Sequence, residues 1–231
     1  MRGSPSSLML FAAGRGTRMG ALTNDRPKPM IPVAGRPLID HALALVREAA
    51  IPNVVANVHY LPDQITEHLK DSGVLISDET DALLETGGGL RRALPLLRGG
   101  PVFTLNSDAV WTGTNPISRL LAEWRPDEMD GLLLLVERQN ALGHVGAGDF
   151  HMDRDGRLSR GPGLVYTGAQ ILTTGLLAEI PEAAFSLNRV WDLMLDRRRL
   201  YGIVHRGGWC DVGSPEGIAR AEAMLKAAGN V

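Results

Sequence analysis

The sequence predicts a single α/β domain with a mixed, mostly parallel sheet and helices on both faces. Short apolar segments alternate with amphipathic helical segments through the first half of the chain, which is the pattern of parallel strands joined by crossover helices. A length of 231 residues suits one large domain. Hydrophobic residues make up 44% of the chain, enough to bury a core without disulfides.

The first strand is expected over residues 7–13 (SLMLFAA), a continuous apolar run that ends at a glycine, as buried parallel strands do. After a long loop, residues 37–50 are predicted to form an amphipathic helix, because apolar side chains recur on one helical face and a proline stands near its start. Residues 53–58 are the second expected strand, and residues 62–70 the next helix.

The same alternation continues along the chain. Residues 73–78 and 101–108 are predicted strands, separated by a short helix over residues 88–99. Residues 131–138 (GLLLLVER) form another apolar run of strand length. Strands and helices that alternate at this spacing imply a mostly parallel sheet.

The pattern changes in the second half. The dipeptide Asp155-Gly156 between two polar-alternating arms predicts a hairpin. Residues 164–173 are a further expected strand, and residues 190–200 resemble a helix in their spacing.

The chain closes with a predicted helix, for which Ser214 is the N-cap candidate, Pro215 the first residue and Gly229 the residue past the end. We therefore expect one domain over residues 1–231, with a hairpin-rich insert around residues 140–170 that covers a ligand site.

Composition excludes several classes of partner. A net charge of -2 and a pI near 6.3 argue against a general nucleic-acid binder. No apolar run approaches the roughly 20 residues of a membrane span. Residues 1–6 are expected to be a disordered leader, not a signal peptide. Their first four residues, MRGS, are compatible with a native start or a tag remnant. The single cysteine, Cys210, excludes an intramolecular disulfide and favours a cytoplasmic location.

Residues 11–32 (FAAGRGTRMGALTNDRPKPMIP) form a glycine- and arginine-rich segment. A P-loop requires G-x-x-x-x-G-K-[ST], but Lys28 has no such glycine before it and Pro29 after it. A dinucleotide fingerprint requires G-x-G-x-x-G at the start of a helix, but here the third glycine comes one residue late and prolines follow. Both interpretations are disfavoured, and with them a dehydrogenase.

A triphosphate-binding loop fits these residues better. Gly14 and Gly16 let the backbone approach a phosphate, and successive N–H groups can form an anion nest. Arg15 and Arg18 can supply charged donors. The prolines on either side of Lys28 stiffen its backbone and favour an extended conformation there. On the loop alone, a solvated surface loop with incidental charges stays open as the alternative.

Residues 10–41 (LFAAGRGTRMGALTNDRPKPMIPVAGRPLIDH) resemble the signature of the sugar-1-phosphate nucleotidylyltransferases. The segments LNSDAVW and GGWCDVGSPE resemble two further family motifs, so the resemblance covers almost the whole chain. It implies the Rossmann-like nucleotide-diphospho-sugar transferase fold and the reaction of an NTP with a sugar 1-phosphate to give an NDP-sugar and pyrophosphate. The left-handed β-helix domain that many members carry at the C-terminus is not expected here.

The resemblance also implies roles for individual residues. Arg18 and Lys28 would be catalytic, and Asp108 and Asp211 would bind Mg²⁺ as the cofactor. Asp108 also follows an apolar run, at the strand end where open α/β sheets place their ligands, with a turn or cap residue as the alternative. Ser107 departs from the family, which usually has glycine there. The residues that would bind the nucleotide are Ala12, Ala13, Gly14, Arg15, Gly16, Thr17, Glu85, Thr86 and Gly87.

Four residues would contact the sugar by the same resemblance: Gly146, Tyr166, Thr167 and Gly168. Core packing is the alternative for Tyr166. The lysine that clamps the sugar phosphate in thymidylyltransferases has no counterpart, and Arg160 is the one basic residue near that place in the sequence.

The segment LLETGGG resembles the corresponding sequence of the subgroup that makes UDP-N-acetylmuramic acid. UTP and N-acetylmuramic acid 1-phosphate are therefore the expected substrates. A guanylyl- or thymidylyltransferase acting on mannose, heptose or glucose 1-phosphate is the alternative. A non-catalytic nucleotide-sugar-binding subunit is disfavoured, because Arg18, Lys28, Asp108 and Asp211 are all present. No sequence feature indicates an oligomeric state.

Overall fold

A computed structural model describes residues 3–229. Its strands in chain order are β1 Ser7–Phe11, β2 Pro32–Val33, β3 Arg36–Pro37, β4 Asn53–Val58, β5 Leu75–Asp78, β6 Pro101–Asn106, β7 Ala109–Trp111, β8 Gly131–Val136, β9 Ala141–Leu142, β10 Phe150–Met152, β11 Leu158–Arg160, β12 Val165–Thr173, β13 Leu200–Val204 and β14 Trp209–Asp211. The α-helices are α1 Leu38–Glu48, α2 Pro62–Leu69, α3 Glu85–Ala93, α4 Pro116–Glu123, α5 Asn188–Asp196 and α6 Pro215–Ala227.

The central element is a seven-stranded sheet with the order β13-β8-β12-β6-β1-β4-β5. Strand β1 runs parallel to β4 and β6, β4 runs parallel to β5, and β13 runs parallel to β8. Only β12 among these strands is antiparallel, and it pairs with both β6 and β8. The mixed, mostly parallel sheet predicted from the sequence is therefore confirmed.

Helices cover both faces of this sheet. Apolar residues of α1, α2 and α4 share one buried cluster, and those of α3 and α5 share a second. A third, smaller cluster holds apolar residues of α6 and Leu38 at the start of α1. Successive residues of β1 point to opposite faces, so Leu8 and Leu10 belong to the first cluster and Met9 to the second. Because both faces are covered, strands such as β8 (GLLLLV) are continuous apolar runs. Each fully buried leucine contributes about 1.5–3 kcal/mol.

Most predicted elements are present with shifted ends. Residues 53–58 form β4 as predicted, but the first strand ends at Phe11 instead of residue 13. The backbone N–H of Ala12 donates to the side chain of Asn57 at 2.8 Å, so the chain leaves the sheet there. The strand expected over residues 101–108 likewise ends at Asn106.

Two predictions of helix extent were wrong. The helix expected over residues 88–99 begins earlier, at Glu85, and ends at Ala93. The helix expected over residues 190–200 spans Asn188–Asp196, and Leu200 begins the edge strand β13. Arg198 between them has a φ of 54°, which is a left-handed backbone conformation. Glycine is the usual residue in this conformation, so an arginine here does not signal the turn in the sequence. Strand β14 and helix α4 were not predicted either.

The hairpin predicted at Asp155-Gly156 is confirmed as the antiparallel pair β10–β11. The insert has a shorter extent than expected, because Val165–Thr173 is a central strand of the main sheet and only residues up to 164 lie outside it. A second small sheet has the order β7-β14-β9.

The two ends of the chain agree in part with expectation. Helix α6 begins at Pro215 after Ser214, but the Ser214 side chain makes no capping hydrogen bond. Residues 3–6 lack regular secondary structure, and Pro5 among them is buried; the first two residues of the expected leader lie outside the described residues. Between residues 3 and 229, no helix has the length and apolar character needed to span a membrane.

Candidate active site

The candidate site is a cavity of about 300 Å³ at the carboxyl ends of four parallel strands, which is where open α/β sheets bind ligands. Residues at the carboxyl ends of β1, β4 and β6, and residues that follow β1, β5 and β6, form much of its wall. Those lining it are Phe11, Ala12, Ala13, Gly14, Lys28, Pro29, Asn57, Glu79, Leu83, Glu85, Thr86, Asn106, Ser107 and Asp108.

The glycine-rich loop forms one wall. Ala12, Ala13 and Gly14 line the cavity, whereas the side chains of Arg15 and Thr17 are exposed beside it. Gly16 has a φ of 63°, and a Cβ there would lie 2.8 Å from the Cβ of Lys28. Glycine at position 16 therefore allows the loop to pack directly on the lysine.

Lys28 is a buried cation at this wall. Its Nζ donates to Oδ2 of Asp108 at 2.6 Å, although the two residues are 80 positions apart. The predicted extended conformation of Lys28 was wrong, because Lys28–Met30 form a 3₁₀ turn. The N–H of Met30 donates to the carbonyl of Pro27, and that of Ile31 to the carbonyl of Lys28, and these bonds hold the turn.

The structure brings Asp108 and Asp211 together through the ladder between β7 and β14. Asp211 pairs with Ala109 across this ladder, and the N–H of Val212 donates to the carbonyl of Asp108 at 2.9 Å. The pKa of Asp211 is raised, first by burial and then by the neighbouring Asp108 carboxylate. The two carboxylates are therefore close enough for their like charges to repel each other.

Cations oppose that repulsion. Lys28 and Arg18 both lower the pKa of Asp211, and Nη2 of Arg18 lies 4.0 Å from Oδ2 of Asp211. The Arg18 side chain is 68% exposed, so it can turn toward a ligand without breaking a packed core. All four predicted catalytic and metal residues thus lie in one electrostatic cluster.

Ser107, the departure from the family pattern, is accommodated without crowding. Its hydroxyl donates to the carbonyl of Phe11 at 2.7 Å, and its backbone N–H donates to the same carbonyl at 3.2 Å. The serine thus ties the turn after β6 to the end of β1.

The second glycine cluster opens helix α3. Glu85, with a φ of 58°, and Thr86 line the cavity. Gly87 does not line it: its N–H donates to the carbonyl of Phe185 at 2.8 Å, and a Cβ there would lie 2.3 Å from the Phe185 ring. The N–H of Gly87 is therefore already used by the protein, and its glycine is explained by packing.

A second cavity of about 310 Å³ adjoins the first and shares Phe11, Thr86 and Asn106 with it. Its other lining residues are Asp149, Arg160, Tyr166, Ser186, Leu187, Asn188 and Trp191. The two cavities therefore adjoin beside Asn106 at the end of β6.

The four predicted sugar residues occupy different places. Tyr166 lines the second cavity, whereas Thr167 is buried and its hydroxyl donates to the carbonyl of Leu134. Gly168 has a φ of 86° in the bulge of β12, and a Cβ there would lie 2.8 Å from Asn106, so this glycine allows Asn106 to sit at the junction. Gly146 is exposed in the loop between β9 and β10 and lines neither cavity.

Arg160 is held firmly at the rim of the second cavity. Its guanidinium donates to Oδ1 of Asp192 and to Oδ1 of Asn188. It also lies over the rings of Phe150 and Trp191, 4.9 and 5.5 Å from their centroids. Asp149, which lines the same cavity, accepts a 2.8 Å hydrogen bond from the N–H of Tyr166.

Sequence reasoning missed several cavity residues: Asn57, Glu79, Asn106, Asp149 and Trp191. Asn57 and Asn106 stand near the carboxyl ends of the predicted strands 53–58 and 101–108, and that position was a usable signal. No comparable signal in the sequence identifies Glu79 or Asp149 as a cavity residue.

Comparison with known proteins gives three findings. The model of the MobA-like NTP transferase domain matches residues 8–151. The chain is 38% identical to the N-acetylmuramate alpha-1-phosphate uridylyltransferase of Caulobacter vibrioides, over 97% of this chain and 99% of that one. It is 32% identical to the protein of the same name from Neisseria meningitidis, over 95% and 98%.

A solved structure supports the fold. The inositol-1-phosphate CTP transferase of T. maritima superposes with a TM-score of 0.78 over 98% of both chains, at 17% identity. At this identity the likeness establishes the fold alone, which is the predicted nucleotide-diphospho-sugar transferase fold.

Proposed function

The chain belongs to the family of MobA-like NTP transferases and is a sugar-1-phosphate nucleotidyltransferase; from this premise we propose that it transfers the uridylyl group of UTP to N-acetylmuramic acid α-1-phosphate. The products would be UDP-N-acetylmuramic acid and pyrophosphate. Two curated relatives that match nearly the whole chain carry this activity in their names.

The observation that carries the proposal is the convergence of Lys28, Asp108, Asp211 and Arg18 beside the first cavity. The reaction brings two polyanions together, and the sugar phosphate attacks the α-phosphorus in line. Catalysis of this kind depends on positioning and on neutralising charge, and these side chains provide charge at that place.

Each residue then has a defined task. Lys28, fixed by its packing and by Asp108, supplies a positive charge to the reacting phosphates. Arg18 binds the leaving β- and γ-phosphates through its fork of N–H donors. The loop of Ala12, Ala13 and Gly14 approaches the nucleotide closely, while Arg15, Gly16 and Thr17 extend this phosphate-binding surface.

Mg²⁺ is the cofactor we propose. The donor set fits it, because Mg²⁺ takes one or two carboxylates and completes its shell with phosphate oxygens and water. Asp108 and Asp211 are the two carboxylates that would hold it. No cluster of three or more His, Cys, Asp or Glu side chains suited to a metal exists within residues 3–229, so the substrate phosphates would supply the remaining ligands. The bound ion would neutralise phosphate charge.

The second cavity is the proposed sugar site. N-Acetylmuramic acid carries a carboxylate on its lactyl ether, and Arg160 is the one cation among the described residues that line this cavity. Its guanidinium is held in place by Asn188 and Asp192, so little further ordering is needed to bind an anion. Asp149 and Asn106 would bind hydroxyl or amide groups of the sugar.

This assignment has consequences for the cell. A product of this kind would link the enzyme to recycling of cell-wall sugars in the cytoplasm. Transfer from GTP or dTTP to mannose, heptose or glucose 1-phosphate stays the alternative, since relatives of one fold differ in both base and sugar.

A pyrophosphate-release panel tests the proposal. It crosses UTP, GTP, CTP and dTTP with N-acetylmuramic acid, N-acetylglucosamine, glucose and mannose 1-phosphates in the presence of Mg²⁺. We expect the pair of UTP and N-acetylmuramic acid α-1-phosphate to exceed every other pair by about tenfold or more in kcat/KM. A GTP pair with the highest kcat/KM would support the guanylyltransferase alternative, and release from no pair would reject the proposal.

A further inference from the structure

Gln170 is a polar side chain that the proposed mechanism does not use. It lies in β12, pairs across the sheet with β6, and is fully buried. It lines neither cavity, although its neighbour Trp191 lines the second. Glutamine is usually exposed, and a buried amide needs hydrogen-bond partners, so the partners of Gln170 indicate what it does there.

Two hydrogen bonds fix the orientation of the Gln170 amide. Nε1 of Trp191 donates to Oε1 of Gln170 at 2.9 Å. Because an indole N–H can only donate, the amide must turn its oxygen toward Trp191 and its NH₂ toward Thr104. Nε2 of Gln170 then donates to Oγ1 of Thr104, its cross-strand neighbour, at 3.0 Å. The chain of hydrogen bonds therefore runs from β6 through β12 to helix α5.

The same hydrogen bonds decide which atoms face the second cavity. The N–H is the one polar group of an indole, and in Trp191 it is bound to Gln170. Trp191 therefore presents only carbon to the cavity that it lines. Burial raises the pKa of the Tyr166 hydroxyl, while hydrogen bonds with Thr104 and Gln170 lower it, so this hydroxyl is turned toward the same buried pair.

Helix α5 also carries the groups that hold Arg160. Asn188 and Asp192 of this helix accept hydrogen bonds from its guanidinium at 2.9 and 2.8 Å. The guanidinium also lies over the Trp191 ring, 5.5 Å from the ring centroid. These contacts of Arg160 belong to one helix, so the position of α5 relative to the sheet sets the position of this cation.

We propose that Gln170 is a positioning residue for the sugar 1-phosphate. It ties α5 to the central sheet through the indole N–H and so fixes Arg160 at the rim of the second cavity, where an anionic group of the sugar binds. The role rests on the proposed function, which places the sugar in this cavity. Gln170 does not touch the substrate, and its effect reaches the sugar through Trp191 and Arg160. Buried networks whose members are satisfied can hold an element in one orientation.

A purely structural role, in which Gln170 only stabilises the sheet, is the competing explanation. Gln170→Met separates the two, because methionine has a similar length but lacks both the N–H donor and the carbonyl acceptor. We expect this variant to raise the KM of the sugar 1-phosphate by about tenfold, because a displaced binding group is poorly aligned, and to leave the KM of UTP unaltered. A structural role would lower Tm and leave both KM values unchanged, and that result would overturn the proposal.

Gln170→Glu provides the conservative comparison. A neutral glutamic acid offers a carbonyl to Trp191 and an O–H to Thr104, and burial favours that neutral form. We expect it to return the KM of the sugar 1-phosphate toward the wild-type value. A KM as high as that of Gln170→Met would show that the hydrogen bonds are not what matters, and the proposal would fall.

Asn53 supplies the matched control. It is a buried amide that donates to Oγ of Ser7 and to the carbonyl of Leu96. It begins β4 as Ser7 begins β1, so it lies at the amino ends of the parallel strands, opposite the cavities. Asn53→Leu should lower Tm and leave both KM values unaltered.

A double variant tests the route through Arg160. If Gln170 acts by placing Arg160, Gln170→Met should raise the KM of the sugar 1-phosphate little further in a protein that already carries Arg160→Gln. Fold-changes that multiply would mean that Gln170 acts by another route, which contradicts the proposal. Trp191→Phe removes the same hydrogen bond from the other side and keeps an aromatic ring. It should show the pattern of Gln170→Met, and it replaces that variant if Gln170→Met does not fold.

The sugar 1-phosphate in these measurements is whichever one gives the highest kcat/KM in the pyrophosphate-release panel. A wrong assignment of the base or the sugar would therefore appear in the panel, whereas failure of the positioning role would appear as an unchanged KM in Gln170→Met. An unchanged KM in Arg160→Gln with the same substrate would also overturn the positioning role. Release from no pair would reject the proposed function and the positioning role together.

Discussion

Nζ of Lys28 lies 2.6 Å from Oδ2 of Asp108, which joins the loop after β1 to the turn after β6. Lys28 is buried and Asp108 is half-buried, so this ion pair is partly shielded from solvent. Each of the two charges therefore acts more strongly on a neighbouring ligand than it would in bulk water. The pair occupies the wall of the first cavity, where the phosphates of the nucleotide are proposed to bind.

Replacing Lys28 by methionine should lower kcat by about 10²–10³-fold, because a fixed positive charge is lost beside the developing negative charge. The methionine keeps most of the buried volume, and thermal melting checks that the fold survives. The control is Lys70→Met, which removes an exposed lysine paired with Glu67 and should leave kcat unaltered. Near-normal turnover by a folded Lys28→Met protein would reject the assigned role.

Arg18→Lys should lower kcat/KM by about tenfold or more, because lysine keeps the charge but loses the planar fork that binds two phosphate oxygens. Because Arg18 is exposed, its replacement should not disturb the fold, and a fall in kcat/KM would not be explained by misfolding. Steady-state kinetics with varied UTP provide the measurement, and Arg26→Lys, another exposed arginine of the same segment, is the control. Equal kcat/KM for lysine and arginine at position 18 would mean that charge alone matters.

Asp108→Asn and Asp211→Asn should each raise the Mg²⁺ concentration needed for half-maximal pyrophosphate release and lower kcat by about 10–100-fold. The double variant should be little worse than the worse single one, because two ligands of one ion act as a unit. Chelation of the metal should abolish activity and added Mg²⁺ should restore it. Single effects that multiply in the double variant would indicate two independent roles.

Arg160→Gln should weaken selectivity for the acidic sugar. We expect kcat/KM for N-acetylmuramic acid α-1-phosphate to fall about tenfold or more, while that for N-acetylglucosamine 1-phosphate, which lacks the lactyl carboxylate, stays nearly constant. Arg157→Gln is the control, since Arg157 belongs to the same hairpin but stacks on Tyr201. An equal fall for both sugars would identify Arg160 as a structural residue of the hairpin.

The sequence predicted the elements whose pattern is strong. Strand β8 is an uninterrupted apolar run, and β4 is apolar except for Asn53 and Asn57. Both faces of each strand are covered, and period and composition are sufficient to predict such strands. The edge strand β13 was missed because it follows three consecutive arginines and the turn at Arg198. Local pattern gives little information there, and pairing with β8 decides the conformation.

The candidate site was predictable where one segment carries the chemistry. The loop from Ala12 to Lys28 has a specific sequence motif. The contact between Lys28 and Asp108, in contrast, depends on the pairing of β1 with β6 in the sheet. Gly87 and Gly89 look alike in the sequence, yet one packs on Phe185 and the other on Glu79. Tertiary neighbours, which a single sequence does not contain, assign them these different roles.

The central claim is direct transfer of the nucleotidyl group between two bound ligands, and the position of a radioactive label tests it most directly. The protein is incubated with α-³²P-labelled UTP, N-acetylmuramic acid α-1-phosphate and Mg²⁺, quenched, and separated into protein, nucleotide sugar and pyrophosphate. The account predicts that the label enters UDP-N-acetylmuramic acid and that pyrophosphate and protein stay unlabelled. Label on the denatured protein, or recovered in pyrophosphate, would contradict it.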